Sequence, residues 1–373
     1  MPLNRTTRLC GWLALAAPLC SALGCKDDAP ADDTAASGWE WSLPAGFPEP
    51  WVPEDNPMTA EKVALGRALF YDRQLSLNQT QSCGDCHLQH LGFTDGRATA
   101  LGSTGEVHRR ASMPLVNVAY AAGLTWASST MRLLEDQALV PIFGETPVEL
   151  GFAGQEDELL RRQADDAARA AMFEAAFPGE GVTLSGLTRA LAAFQRSIIA
   201  ADSPYDRFIN KTDLTALSAD ARAGLSLFNS ERMECFHCHG GYLMSDAARS
   251  ATTVFDELTF HNNGLYNLDG YGAYPETDQG LIEQTGSAAD MGRFRAPSLR
   301  NIAVTAPYMH DGSLATLDDV LDHYAKGGEG GPYQSLFVKG FVLSEDERRQ
   351  LLAFLESLTD EGLLTDPRFG PPE

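Results

Sequence analysis

Cys83-Gly-Asp-Cys86-His87 and, about 150 residues further on, Cys235-Phe-His-Cys238-His239 decide how the rest of this chain is read. C-x-x-C-H is the signature of covalent c-type haem attachment. The two thiols of each motif add across the two vinyl groups of one haem. The adjacent histidine then reaches the iron as its proximal ligand. The spacing is fixed because the vinyls are a set distance apart and the iron lies between them. Two copies of the motif predict two covalently bound haem c groups.

Other uses of the four cysteines explain less. A zinc ribbon places its cysteine pairs 15–20 residues apart, and these pairs are far more distant. Two disulfides would suit an exported protein. Either arrangement leaves His87 and His239 idle.

The chain has 373 residues, enough for two ordinary domains, with 44% hydrophobic residues and a formal net charge of −23. That charge argues against nucleic acid as a partner, because phosphate binding needs clustered Lys and Arg. It suits a basic protein partner, or solubility alone. Arg5 and Arg8 precede an apolar run from Leu9 to Gly24. The run is shorter than the ~20 residues that span a bilayer, so residues 1–24 read as a signal peptide. Ala22-Leu-Gly-Cys25 resembles a lipoprotein processing site, with Cys25 as the acylated N-terminus; ordinary signal-peptidase cleavage is the alternative. Removing residues 1–24 takes away Arg5 and Arg8 and no acid, leaving −25. Residues 25–45 read as a polar tether. The expected location is the periplasm or cell envelope, anchored to a membrane through lipid.

Gly66-Arg-Ala-Leu-Phe70 before the first haem motif is echoed by Gly224-Leu-Ser-Leu-Phe228 before the second, a faint internal repeat. Helices are expected over Thr59–Tyr71 with Thr59 as N-cap, over Leu184–Ala200, and from Ser344 to Leu358. Strand patterns are scarce, and Phe260–Gly292 reads as a long loop. The expected fold is mainly α: two cytochrome c-type domains with long loops, divided near Pro204 into residues 46–204 and 205–373. The first would carry the peroxide-reacting haem and the second an electron-transfer haem.

The chain resembles the bacterial di-haem cytochrome c peroxidase family, which includes the MauG-type enzymes, and most of all its MbnH-like branch. Besides the haem motifs, the resemblance rests on Ala64–Asp72, Phe93–Arg97, Leu115–Tyr120, Thr125-Trp126 and Leu134–Ala138. In the second half it rests on Phe260–Gly264, Arg295–Asn301 and Ala306–Gly312. It implies that the haem on Cys83, Cys86 and His87 meets hydrogen peroxide. Many members carry a distal histidine that blocks this iron; here Ser103 follows Gly102 in its place, with His108 a substitute off register. An open iron is therefore expected. The resemblance also implies an acid–base glutamate, matched by Glu149 with Glu145 as rival, and a supporting donor at Gln137. Trp126 matches an electron relay between the haems, although a bare tryptophan is more often core packing. Tyr324 matches the sixth ligand of the haem on Cys235, Cys238 and His239, with Met309 and Met244 as rivals. Thr305 and Pro307 match backbone donors of a calcium ion, but Ala111 stands where an asparagine is expected.

The function so implied is oxidation, at the expense of hydrogen peroxide, of an aromatic (tryptophan) side chain on a partner protein. The alternatives are reduction of peroxide with electrons from a small cytochrome or copper protein, a non-catalytic di-haem electron carrier, and a haem-based sensor.

Overall fold

Most of the longer helices start where the sequence offers a side-chain cap. In the computed structural model, which describes residues 38–44, 46–255 and 258–372, Thr59 accepts from the amide of Lys62 and opens α1 (Ala60–Phe70). Ser82 and Asp85 form a capping box around the single turn α2 (Cys83–Cys86), which carries the first haem motif. Short helices α3 (Leu134–Gln137) and α4 (Leu139–Phe143) follow, then α5 (Glu156–Asp165), α6 (Ala167–Ala176) and α7 (Leu184–Ser197). The second half holds α8 (Pro204–Ile209), α9 (Ala219–Phe228), α10 (Ile282–Thr285), α11 (Leu317–Lys326) and α12 (Glu345–Glu356). Ser344 and Glu347 box the start of α12, as its sequence predicts. Among the described residues there is no strand, only isolated bridges. Helix α7 ends at Ser197, three residues short of the expected Ala200, because the segment beyond it is gripped by a side chain from another part of the chain. Asn117 donates to the carbonyl of Ala200 and accepts from its amide, both at 2.8 Å.

The faint repeat proves to be structural. Helix α1 crosses α7 so closely that a Cβ on Gly66 would lie 1.9 Å from the carbonyl oxygen of Ala190 and 2.8 Å from Cβ of Phe194. Helix α9 crosses α12 in the same way: a Cβ on Gly224 would lie 1.9 Å from the carbonyl oxygen of Gln350 and 2.8 Å from Cβ of Phe354. Glycine is required at both crossings because two backbones meet there. Asn301 repeats the Asn117 staple. Both sit in left-handed backbone, at φ 60° and 59°. Asn301 reaches the carbonyl and amide of Asp360 at 3.4 Å each.

Residues Ser37–Glu373 form one compact unit with separate apolar clusters inside it. One contains Leu65, Leu69, Phe70, Phe93, Leu187, Leu191 and Phe194. Another contains Phe228, Met233, Met244, Leu351, Phe354 and Leu355. A third joins Ala111 and Trp126 of the first half to Leu265, Tyr274 and Phe294 of the second. The C-terminal segment returns to the first half: Leu363 and Phe369 belong to its cluster, and Arg67 donates to the carbonyls of Pro367 and Gly370. No described helix is long and apolar enough to cross a membrane. The expected signal peptide, Cys25 and most of the tether lie outside the described residues.

Candidate haem sites

A single turn of helix brings Cys83, Cys86 and His87 together, with the His87 amide bonded to the carbonyl of Cys83 at 2.9 Å. The second motif does the same as a tight 3₁₀ turn, His239 to Cys235 at 3.0 Å. Residues three and four apart on a turn share a face, so each pair of thiols and its histidine can address one flat ligand. None of the four cysteines is paired in a disulfide, so neither motif is closed on itself.

Both histidines are oriented by a backbone carbonyl. His87 Nδ1 donates to Phe93 at 2.7 Å and His239 Nδ1 to Met244 at 3.3 Å. Phe93 and Met244 both take left-handed backbone, φ 63° and 54°, which turns their carbonyls inward. With the proton held on Nδ1, the Nε2 lone pair is free for a metal. Burial lowers the pKa of both imidazoles, keeping them neutral and ligating. The donor set therefore fits a c-type haem twice over.

Glu149 lies beside the first motif, and its charge acts on Cys83, Cys86 and His87. Its partner is His108, whose Nε2 stands 3.2 Å from Glu149 Oε1. The approach is not aligned as a hydrogen bond, and Nε2 is buried without one. Ser103 is pinned beside them, its amide donating to the Glu149 carbonyl at 2.8 Å. The rival Glu145 is exposed, and Gln137 is half-buried at the end of α3.

A mainly apolar cavity of ≈ 220 Å³ lies against the second motif. Cys235, Cys238, His239, Trp126, Arg295, Met309 and Tyr324 all line it. Trp126 is buried, and its Nε1 donates to the carbonyl of Ala111 at 2.9 Å. Burial pushes Tyr324 up to about 12, partly offset by a hydrogen bond with Asn263. The Asn263 amide also donates to the sulfur of Met309 at 3.2 Å, so that sulfur is already engaged. Met244 is packed in the second core cluster, and its own carbonyl accepts from Nδ1 of His239. Thr305, Pro307 and Ala111 line the same cavity. Ala111 brings no side-chain oxygen, and its carbonyl already accepts from Trp126.

Sequence reasoning did not single out the Phe93 and Met244 carbonyls, the His261–Asp246 pair beside Cys238 or Arg295. The one available signal was the second-level repeat Leu115-x-Asn117 against Leu299-x-Asn301.

Two c-type haem sites on a duplicated helix pair define a di-haem cytochrome-type oxidoreductase. Residues 60–213 match the family model described as di-haem cytochrome c peroxidase. The chain is 36% identical to the cytochrome-c peroxidase IdrP1 of Denitromonas iodatirespirans, over 90% of this chain and 92% of that one. It is equally 36% identical to the methylamine utilization protein MauG of Methylorubrum extorquens, over 95% of this chain and 93% of that one. A solved structure of a MauG-like protein associated with microbial copper homeostasis superposes with a TM-score of 0.87 at 44% identity, covering 90% of this chain and 99% of that one. The chain belongs to the di-haem cytochrome c peroxidase family, whose members include MauG, and is a peroxidase-type oxidoreductase.

Proposed function

We propose that this chain uses hydrogen peroxide to oxidise an aromatic side chain, tryptophan above all, on a partner protein. The observation that carries this reading is Tyr324 on the cavity wall with His239, while the sulfur of Met309 is held by Asn263. A phenolate is a harder donor than a thioether and favours the more oxidised states of iron. Buried Tyr324 keeps its proton unless a cation lies against it, so a ligand metal is what would make it a phenolate. Similarity to MauG and to the MauG-like structure supports the same reading.

Bound haem supplies the two-electron reaction with peroxide and stores the oxidising equivalents. The chain's residues do the rest. Glu149 takes a proton from one peroxide oxygen and returns it to the other. Gln137 would support Glu149, and Ser103 offers no side-chain nitrogen that could ligate a haem bound at the first motif. His239 and Tyr324 would hold the second haem, and Trp126, on the wall of the same cavity, would serve as the electron relay between the two sites. A partner side chain would be oxidised at a distance, without entering either site. Residues 46–204 and 205–373 act as the peroxide-reacting and electron-transfer units. The chain works in the cell envelope, held there through acylated Cys25.

The second reading, peroxide reduction with electrons from a small donor protein, is favoured by the relatives named cytochrome-c peroxidase. Incubating the di-haem protein with peroxide and the product of a neighbouring gene, then mapping masses on that partner, separates the two. Oxygen gained on a partner tryptophan is the expected result. No gain, together with rapid turnover of a reduced small cytochrome, replaces the first reading by the second.

A further inference from the structure

Among the described residues three arginines are buried, and two of them carry their own counter-charge. Arg300, 2% exposed, makes a two-pronged pair with Asp206, both bonds at 2.9 Å. Arg196, also 2% exposed, makes one with Glu135, both at 2.7 Å. Arg295 is 8% exposed and has no such partner. Its Nε donates to the carbonyl of Thr125 at 3.2 Å and one Nη to the sulfur of Met113 at 3.6 Å, a weak acceptor. The acid that acts on it most is Asp246, and Asp246 is already bonded to His261 at 2.6 Å. Burial without an anion pulls Arg295 down to about 10.

A buried guanidinium with no carboxylate costs several kcal/mol, and folds supply an anion or leave the charge out. Arg295 is also not free to turn away. Its amide donates to the carbonyl of Trp126 at 2.8 Å, and its side chain lines the cavity shared with Cys235, Cys238 and His239. The missing anion must therefore be part of what fills that cavity. A haem bound there brings two propionate carboxylates, and the guanidinium fork matches a carboxylate in shape as well as charge.

We propose that Arg295 is the buried counter-charge for a propionate of the second haem, fixing that haem's edge against Trp126 and raising its reduction potential. The proposal rests on the assignment of a haem to Cys235, Cys238 and His239. The repeat supports a role confined to this half: six residues before the stapling asparagine, Arg295 precedes Asn301 and Ala111 precedes Asn117. The first half carries no such charge at that place.

The test uses the mature di-haem protein and Arg295→Gln, with the haem count verified by intact mass. A chain without a second haem would fail the underlying assignment rather than the role of Arg295. Both haems are followed in a spectroelectrochemical titration, the second identified by the signal that His239→Met alters. Loss of the charge should favour the ferric second haem by roughly 10- to 100-fold, from the Coulomb energy of one charge several ångströms from the iron. The first haem should shift much less, and Arg295→Lys should keep most of the wild-type potential. Unchanged potentials, or a shift confined to the first haem, overturn the proposal. If Arg295→Gln does not mature with two haems, the wild-type and Arg295→Lys proteins carry the test. The resonance-Raman propionate bending band of the second haem must then differ between them, and an identical band overturns the proposal.

Discussion

The two halves of the molecule share a scaffold and differ in what that scaffold presents to its haem site. In both, a glycine lets two helix backbones touch, an asparagine in left-handed backbone staples a distant segment, and a carbonyl orients the proximal histidine. Beside the first motif lie Glu149 and His108, polar groups whose buried Nε2 and carboxylate nearly touch. Beside the second lie Trp126, Tyr324, Met309 and an uncompensated arginine. The parts that repeat hold a c-type haem in place. The parts that differ give each site its own surroundings: a carboxylate facing an imidazole at one, aromatic side chains and a buried guanidinium at the other.

The sharpest test of the shared scaffold is Gly66→Ala against Gly224→Ala. The same three atoms meet at the same distances, so each should cost about 3 kcal/mol through forced separation of the helices. Chemical denaturation should give matching losses. A large cost at one crossing and none at the other would break the equivalence. The difference between the halves is tested by Glu149→Gln, which should slow the peroxide-driven optical change by roughly 10²-fold or more. Glu145→Gln, exposed to solvent, should leave it near the wild-type rate. The reverse result would move the acid–base role to Glu145.

The staples should differ in strength although they correspond in place. Asn117 makes its two bonds at 2.8 Å and Asn301 at 3.4 Å. Asn117→Ala should therefore cost about 1–3 kcal/mol, and Asn301→Ala clearly less. Equal losses by thermal unfolding would show that the longer contacts are as strong as the short ones.

The smallest effect concerns pH and belongs to the second half alone. Burial pulls His261 down, but its 2.6 Å bond to Asp246 raises it above its ordinary value. A histidine raised on folding contributes its stability fully below its ordinary value of about 6.5, and loses it as pH climbs through the raised value. The melting temperature should decline through that alkaline window. Asp246→Asn should flatten the decline, and an unaltered slope would remove the pair from the account.

Much of this was legible in the chain because it is local. The cysteines and histidine of each motif lie within one turn, and Thr59, Ser82 and Ser344 cap helices that begin one residue later. The length of α7 was not legible, since a side chain 83 residues away decides it. Nor was the echo of Gly66 in Gly224 more than faint, because its meaning lies in Ala190 and Gln350, which share no sequence pattern.

By itself the sequence determined two haem attachment sites, a helical class and family membership, all set by spacings within a few residues or by motifs read in order. Only the tertiary structure decided that the Phe93 and Met244 carbonyls orient the histidines, that His108 stands against Glu149, and that Arg295 is buried with no acid to neutralise it. Whether a charge is compensated depends on every group packed around it. That neighbourhood is assembled from segments tens to hundreds of residues apart, so no local pattern records it.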